Sequence, residues 1–308
     1  MLTLPGTGFQ LSARKNNVNP IALGDWIEAS VLFSGDSVSR SEVADVLMEQ
    51  LVTEDQNIAA EIAEAGWLEV EGRLKSAVAP GVQVAGKKIV PVADWRNDIA
   101  RSFLLAVSLA DGYRDWAEDH RDLIGQGDLF EKLCVEACGH IFQGWHVERA
   151  GWSAAGPRRV TDLAVELAAL VGTVGNPNAV EHWIAPMAKD AGLDIFCFRR
   201  FDDGREGAPM FMIQCASGQN WTAKLDEPAV GQWVQILGSA YPATRAVMIP
   251  FVVGQKDLRI RCAKITGPLF DRLRILSSPV GSSAWVSPGL MAELEAWLAP
   301  RIAALPTN

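Results

Sequence analysis

Three polar side chains, Asp194, Gln214 and Lys224, stand at the ends of two apolar runs that read as paired strands. Asp194 opens the run through Phe198, Gln214 comes late in the run from Pro209 to Gly218, and Lys224 lies just beyond. The segment Phe211 to Ile213 suits a strand buried on both faces, and Asp202-Asp-Gly204 supplies the turn residues of a hairpin. A carboxylate and an amide oxygen at strand ends, with an ammonium beside them, are the groups that a hard divalent cation and a phosphate require. Each residue also has a plainer reading. Asp194 could cap a turn after Gly192, Gln214 could be a satisfied core amide, and Lys224 could be an exposed helix lysine.

The elements that must position these groups read as follows. Asp128 is placed as the N-cap of a helix over 129–142, whose apolar positions 130, 133, 134, 137, 138 and 141 form one stripe with Glu131 at its margin. Residues 145–150 suit a short strand, 160–171 a helix, 227–239 a helix, and 244–250 a buried strand stopped by Pro250. Alternation over 258–265 reads as a strand, 268–276 as a helix, and Ser287-Pro288 opens a terminal helix. Upstream, the text to about Asp119 is mainly helical. A helix is expected over 21–32, and Ser39 with Glu42 resembles a capping box opening 43–51. A longer helix over 56–78 is expected to bend near Gly66, a two-stranded ribbon to turn at Gly86, and one helix to span 95–117. Helix, helix, ribbon is the order of a winged-helix module. The polar run 118–122 marks a boundary, giving an acidic, mostly helical domain over 1–120 and a second domain over 121–308.

The net charge of −9 argues mildly against a nucleic-acid partner. Its distribution changes that reading. Residues 1–120 hold 10 Lys and Arg against 18 Asp and Glu, whereas 121–308 hold 18 against 19. The first part therefore suits a protein partner better than DNA. In the second, Arg199, Arg200, Arg205 and then Arg259, Arg261, Lys264, Arg272 and Arg274 could line a phosphate backbone, or be solvated faces. Five cysteines and no long apolar span lead to the expectation of reduced thiols in a cytoplasmic protein with no membrane segment. Cys134, Cys138 and His140 invite a zinc reading, but no second Cys pair accompanies them and both thiols lie on the apolar stripe.

Phe130-Glu131, Gly192-Leu-Asp194 and Gln214 fall at the diagnostic positions of the PD-(D/E)xK nuclease superfamily, which this part of the chain resembles over about 125 residues. Glutamine in place of the second acidic residue is similar to the Mrr-like branch. The resemblance implies an α/β restriction endonuclease-like αβββαβ core behind the helical N-terminal domain. It further implies a Mg²⁺- or Mn²⁺-dependent DNA endonuclease, of the kind used in bacterial anti-phage or restriction-type defence. On that pattern the metal would be held by Asp194, Gln214, the backbone carbonyl of Cys215 and Glu131, the last directly or through water. With only two carboxylates such a site should fill mainly when substrate is present. The chain departs from the pattern at Ala216, where the family carries its lysine, and Lys224 is the substitute. That departure motivates the alternative of a non-catalytic nuclease-fold subunit that binds nucleic acid or scaffolds a complex. A homo-oligomer is left open.

Overall fold

The structure, a computed structural model, describes residues 1–6, 18–50, 52–76, 81–150, 160–183, 191–277 and 285–307. It is mixed α/β and divides into two units. One comprises Met1–Asp122, Pro250–Gly254 and Arg272–Asn308; the other comprises Leu123–Ile249 and Gln255–Asp271. The expected second domain ran to residue 308, whereas the chain from Arg272 onward packs with the N-terminal unit.

The first unit runs α1 (Pro20–Ser34), β1 (Val38–Ser39), α2 (Arg40–Glu49), α3 (Gln56–Ser76), β2 (Val82–Ala85) and β3 (Lys88–Pro91). The three strands form an antiparallel sheet in the order β1-β3-β2. The capping box is present: Ser39 Oγ accepts from the Glu42 amide, and the Glu42 carboxylate accepts from the Ser39 amide at 2.6 Å. Helix α3 is continuous to Ser76, and the part of the expected helix beyond lies outside the described residues. Gly66 does not break it. A Cβ there would stand 2.5 Å from Leu23 side-chain atoms, so the glycine is where α1 and α3 approach. The segment expected as one helix is a 3₁₀ turn at Trp95–Asp98, then α4 (Ile99–Leu109) and α5 (Arg114–Asp119). The break falls at Gly112, where a Cβ would meet the Pro5 ring at 2.6 Å.

The helices of this unit enclose an ion network that a sequence pattern does not display. Asp25 and Glu28 of α1 are both buried. Arg73 of α3 donates to Asp25 at 2.6 Å and to Glu28 at 3.3 Å. Arg101 of α4 reaches Glu28 at 3.3 Å. Arg272, from the later part of this unit, is 1% exposed and pairs with Asp25. Arg272 is therefore excluded from the expected phosphate-facing set. It is one of the cations that make the burial of two carboxylates tolerable.

The second unit starts with α6 (Leu123–Ile141) and β4 (His146–Arg149), followed by α7 (Val160–Val171), α8 (Pro177–Trp183), β5 (Ile195–Phe198) and β6 (Met210–Cys215). It continues with α9 (Val230–Leu237), β7 (Thr244–Met248), α10 (Gln255–Ile265) and β8 (Leu269–Phe270). Helix α6 begins five residues before Asp128, so that aspartate is inside the helix and not its N-cap. Residues 258–265, read as a strand, belong to α10. There Leu258 and Ile265 are buried two turns apart while Ile260 is exposed, so helical and not alternating burial decides the element. The chain then closes in the first unit with α11 (Arg272–Leu276) and α12 (Pro288–Ala303), capped by Ser287 as expected.

The five strands lie in sequence order. β4, β5 and β6 are antiparallel, and β6, β7 and β8 are parallel. Alternation sends the two faces of the hairpin to different cores. Phe196, Phe198, Met210 and Met212 pack with Leu163, Leu167 and Trp233 from α7 and α9. Phe211 packs on Phe142, just past α6, with ring centroids 4.8 Å apart, and Cys138 of α6 lies against Cys197 of β5. Cys134, Cys138, Cys197 and Cys215 are all free and buried, so the first two are core residues as their stripe position suggests. Among the described residues, no helix is long and apolar enough to cross a membrane.

Candidate functional site

Asp194 and Gln214 sit at the same end of the β5–β6 hairpin. Ile195 pairs with Ile213, so the two residues next along face each other across the strands. Both are buried, at 4% and 3% exposure. The Gln214 amide Nε2 donates to Asp194 Oδ2 at 2.5 Å and to the Cys215 carbonyl at 3.0 Å. The Cys215 amide donates to the same Asp194 oxygen at 2.6 Å. Gln214 Oε1, by contrast, is buried with no hydrogen-bond partner among the described residues. A buried amide oxygen left bare costs on the order of 1–3 kcal/mol, so it needs a ligand, a water or a cation to accept from or bind to it.

Gln214 lines a cleft of about 730 Å³. Glu131, Asp194, Gln214 and Lys224 all line it, so the four residues singled out in the sequence share one cavity. The backbone makes room for them. Gly192 has φ of +72°, a conformation other residues adopt only under strain, and a Cβ there would be 3.3 Å from Gln214 Oε1. Lys224 ends a 3₁₀ turn at Trp221–Lys224. Residues three apart eclipse in such a turn, which puts Lys224 and Trp221 on the same side of it. The Arg261 guanidinium of α10 lies over the Trp221 ring, 5.6 Å from its centroid.

Glu131 is already paired. Arg149 of β4 donates to Glu131 Oε2 at 2.8 and 3.1 Å and to Asp128 at 2.7 Å, and Lys132 pairs with Asp128 at 2.9 Å. Burial would raise the Asp128 carboxyl, but hydrogen bonds from Lys132 and Arg149 hold it below its ordinary value. Beneath the site, burial, the neighbouring Cys134 and the charges of Asp194 and Glu131 push the Cys215 thiol well up. A thiol so held is neutral and unsuited to nucleophilic work. Ala216 is buried and its amide donates to Met248 at 2.9 Å, continuing the β6–β7 pairing.

The sequence reading missed one acid at the cleft. Glu227 lines it, from the turn that follows Lys224, and its Cβ and Cγ are 3.1 and 3.3 Å from where a Cβ on Gly192 would lie. As the residue before Pro228 and a helix, it resembles an ordinary acid at a helix start, and only the fold brings it to Gly192.

No known family matches this sequence. No curated protein matches it either. Among solved structures, protein VC1899 from Vibrio cholerae aligns over 87% of this chain and 82% of its own length, at 12% identity and a TM-score of 0.16. A likeness at that level carries no argument about fold or function, so the function must be argued from the cleft.

The donor set fits a hard cation. Asp194 offers a carboxylate and Gln214 a bare amide oxygen, both oxygen ligands; Cys215 also lines the cleft, but its thiol is held protonated and is a poor ligand in that form. Among the described residues, no group of three His, Cys, Asp or Glu is arranged to hold a metal. Any cation here would therefore draw on Gln214 as well as on acids.

Proposed function

We propose that the second unit is a Mg²⁺- or Mn²⁺-dependent nuclease acting on DNA phosphodiesters, with a restriction endonuclease-like core of the PD-(D/E)xK type. The single observation that carries this reading is the cleft shared by Glu131, Asp194, Gln214 and Lys224, where Gln214 also carries a buried amide oxygen with no hydrogen-bond partner among the described residues. The element order supports it as well: a helix, a three-stranded antiparallel meander, a helix and a parallel strand, with α7 and α8 inserted after the first strand.

In this reading Asp194 and Gln214 would hold the cation, which would supply charge neutralisation at a scissile phosphate and a lowered pKa for a water. Gln214 Nε2 and the Cys215 amide both donate to Asp194 Oδ2 and so fix the orientation of a carboxylate that lines the cleft. Lys224 supplies a point charge to the developing negative charge on phosphate. Glu131, drawn toward Arg149, acts on the site's electrostatics. The N-terminal helices and their three-stranded sheet, in the order α1-β1-α2-α3-β2-β3, suit a winged-helix module. Its acidity favours docking a protein over reading DNA.

Two observations favour a second reading, a non-catalytic nuclease-fold subunit. Ala216 occupies the lysine position, and Glu131 is engaged by Arg149. One experiment separates the two readings. The full chain is incubated with plasmid DNA and Mg²⁺ or Mn²⁺, alone and with the products of neighbouring genes, beside Asp194→Ala and Lys224→Ala. Cleavage abolished by both substitutions is expected. Cleavage that survives Asp194→Ala removes the mechanism, and no cleavage under any condition favours the subunit.

A further inference from the structure

We infer that Glu227 is the carboxylate that completes the cation site with Asp194 and Gln214, in the position of service that the family resemblance would give to Glu131. The inference rests on the nuclease reading of this cleft and names a ligand that the sequence pattern does not contain.

The geometry converges on Gly192. Glu227 Cγ and Gln214 Oε1 each lie 3.3 Å from the point where a side chain on residue 192 would begin. The empty space above Gly192 is thus bounded on one side by an acid and on the other by a buried oxygen that has no partner. A glycine at φ +72° keeps that space open, since any Cβ would crowd both groups. The Glu227 amide donates to the Lys224 carbonyl at 3.1 Å, closing a turn that carries the ammonium and the acid to the same cleft.

Charge balance distinguishes the two glutamates. Glu131 and Asp128 are matched by Arg149 and Lys132 at 2.7 to 3.1 Å, so the charge that Glu131 would offer a cation is already offset by an arginine. Glu227 is exposed, and its carboxylate is free to turn toward the cleft without desolvating first. Two carboxylates and an amide oxygen are a reasonable donor set for Mg²⁺ or Mn²⁺, with water filling the remaining positions.

The test is Mn²⁺ binding to the full chain without nucleic acid, followed by electron paramagnetic resonance of free Mn²⁺ and by calorimetry. Wild type is compared with Asp194→Asn, Glu227→Gln, Glu227→Asp and Glu131→Gln, each checked for an unchanged melting curve. The expected result is loss of binding in Asp194→Asn, a weakening of about tenfold or more in Glu227→Gln, partial recovery in Glu227→Asp, and a change within about twofold in Glu131→Gln. Wild-type affinity in Glu227→Gln, with binding lost in Asp194→Asn, overturns the role of Glu227 and leaves the cleft reading intact. The same holds if Glu131→Gln is the variant that weakens. Mn²⁺ binding that survives Asp194→Asn, or no binding by wild type at millimolar Mn²⁺ either alone or with a DNA duplex added, overturns both.

Discussion

Gln214 holds Asp194 with its amide nitrogen and leaves its amide oxygen bare, so one cleft-lining side chain both orients a carboxylate and keeps a second, unpartnered oxygen beside it. A glutamate at 214 could not do this. It would set a second buried anion against Asp194 Oδ2, where Gln214 Nε2 now donates at 2.5 Å.

Gln214→Glu is therefore expected to lower stability without metal and to make stability depend on it. Two carboxylates in buried contact repel, costing on the order of 2–4 kcal/mol until one takes up a proton or a cation sits between them. Urea unfolding with EDTA and with several millimolar Mn²⁺ checks this, because a ligand of the native state alone stabilises in proportion to the logarithm of its concentration. Equal destabilisation under both conditions would argue against a cation at this place.

Lys224→Ala is expected to lower DNA cleavage by about a hundredfold or more while changing DNA affinity little, as loss of one charge aimed at the reacting phosphate does in other sites. Trp221→Ala is expected to do the reverse. Its ring lies under Arg261 and beside the lysine turn, so its removal unsettles a cationic rim and should weaken binding. A filter-binding assay beside single-turnover cleavage separates the two effects. Equal loss of both in either variant would assign the turn a purely structural part.

Arg149 and Glu131 should show a measurable coupling. Both are about one-fifth exposed and are joined by two hydrogen bonds, between the extremes of a surface and a buried pair. A double-mutant cycle with Arg149→Met and Glu131→Gln is expected to give about 1–2 kcal/mol of coupling in urea unfolding. Strict additivity would mean that the pair is incidental and that Glu131 is available to the cleft after all.

What the sequence disclosed and what it hid divide along physical lines. Asp194 and Gln214 were legible because a hairpin with a defined turn fixes which residues end beside each other, and register in a two-stranded unit is a local property. Glu131 was legible as a position on a stripe, but its arginine partner lies 18 residues away on another element, and pairing of that kind is decided by packing. Glu227 was hidden because nothing local relates it to Gly192. The strand assigned to 258–265 failed for a related reason. Leu258, Ile260 and Cys262 alternate, but only the sheet could say that no strand was needed there, since β7 already pairs with β8. The ion network of α1 was invisible because the three arginines that pair with Asp25 and Glu28 come from distant segments of the chain.

That network gives a prediction with a sign. Burial alone would raise the Asp25 and Glu28 carboxyls; Arg272 leads the charges that outweigh it, with Arg73 for both and Arg101 for Glu28, and holds both below their ordinary values. A carboxyl depressed in the folded state contributes stability above its unfolded pKa, about 4, and that contribution is lost as pH falls through the folded value. Wild-type stability should therefore fall between about pH 5 and pH 3. Arg272→Met removes one buried guanidinium and leaves much of its volume filled. It is expected to cost about 3–5 kcal/mol at neutral pH, since the carboxylates it matched stay buried. With those carboxyls less depressed, the variant has less to lose in acid. Its stability curve should be flatter than the wild type's over the same interval, and the gap between the two should narrow as pH falls. Parallel curves measured by urea unfolding from pH 7 to pH 3 would mean that Arg272 stabilises by packing and not by charge.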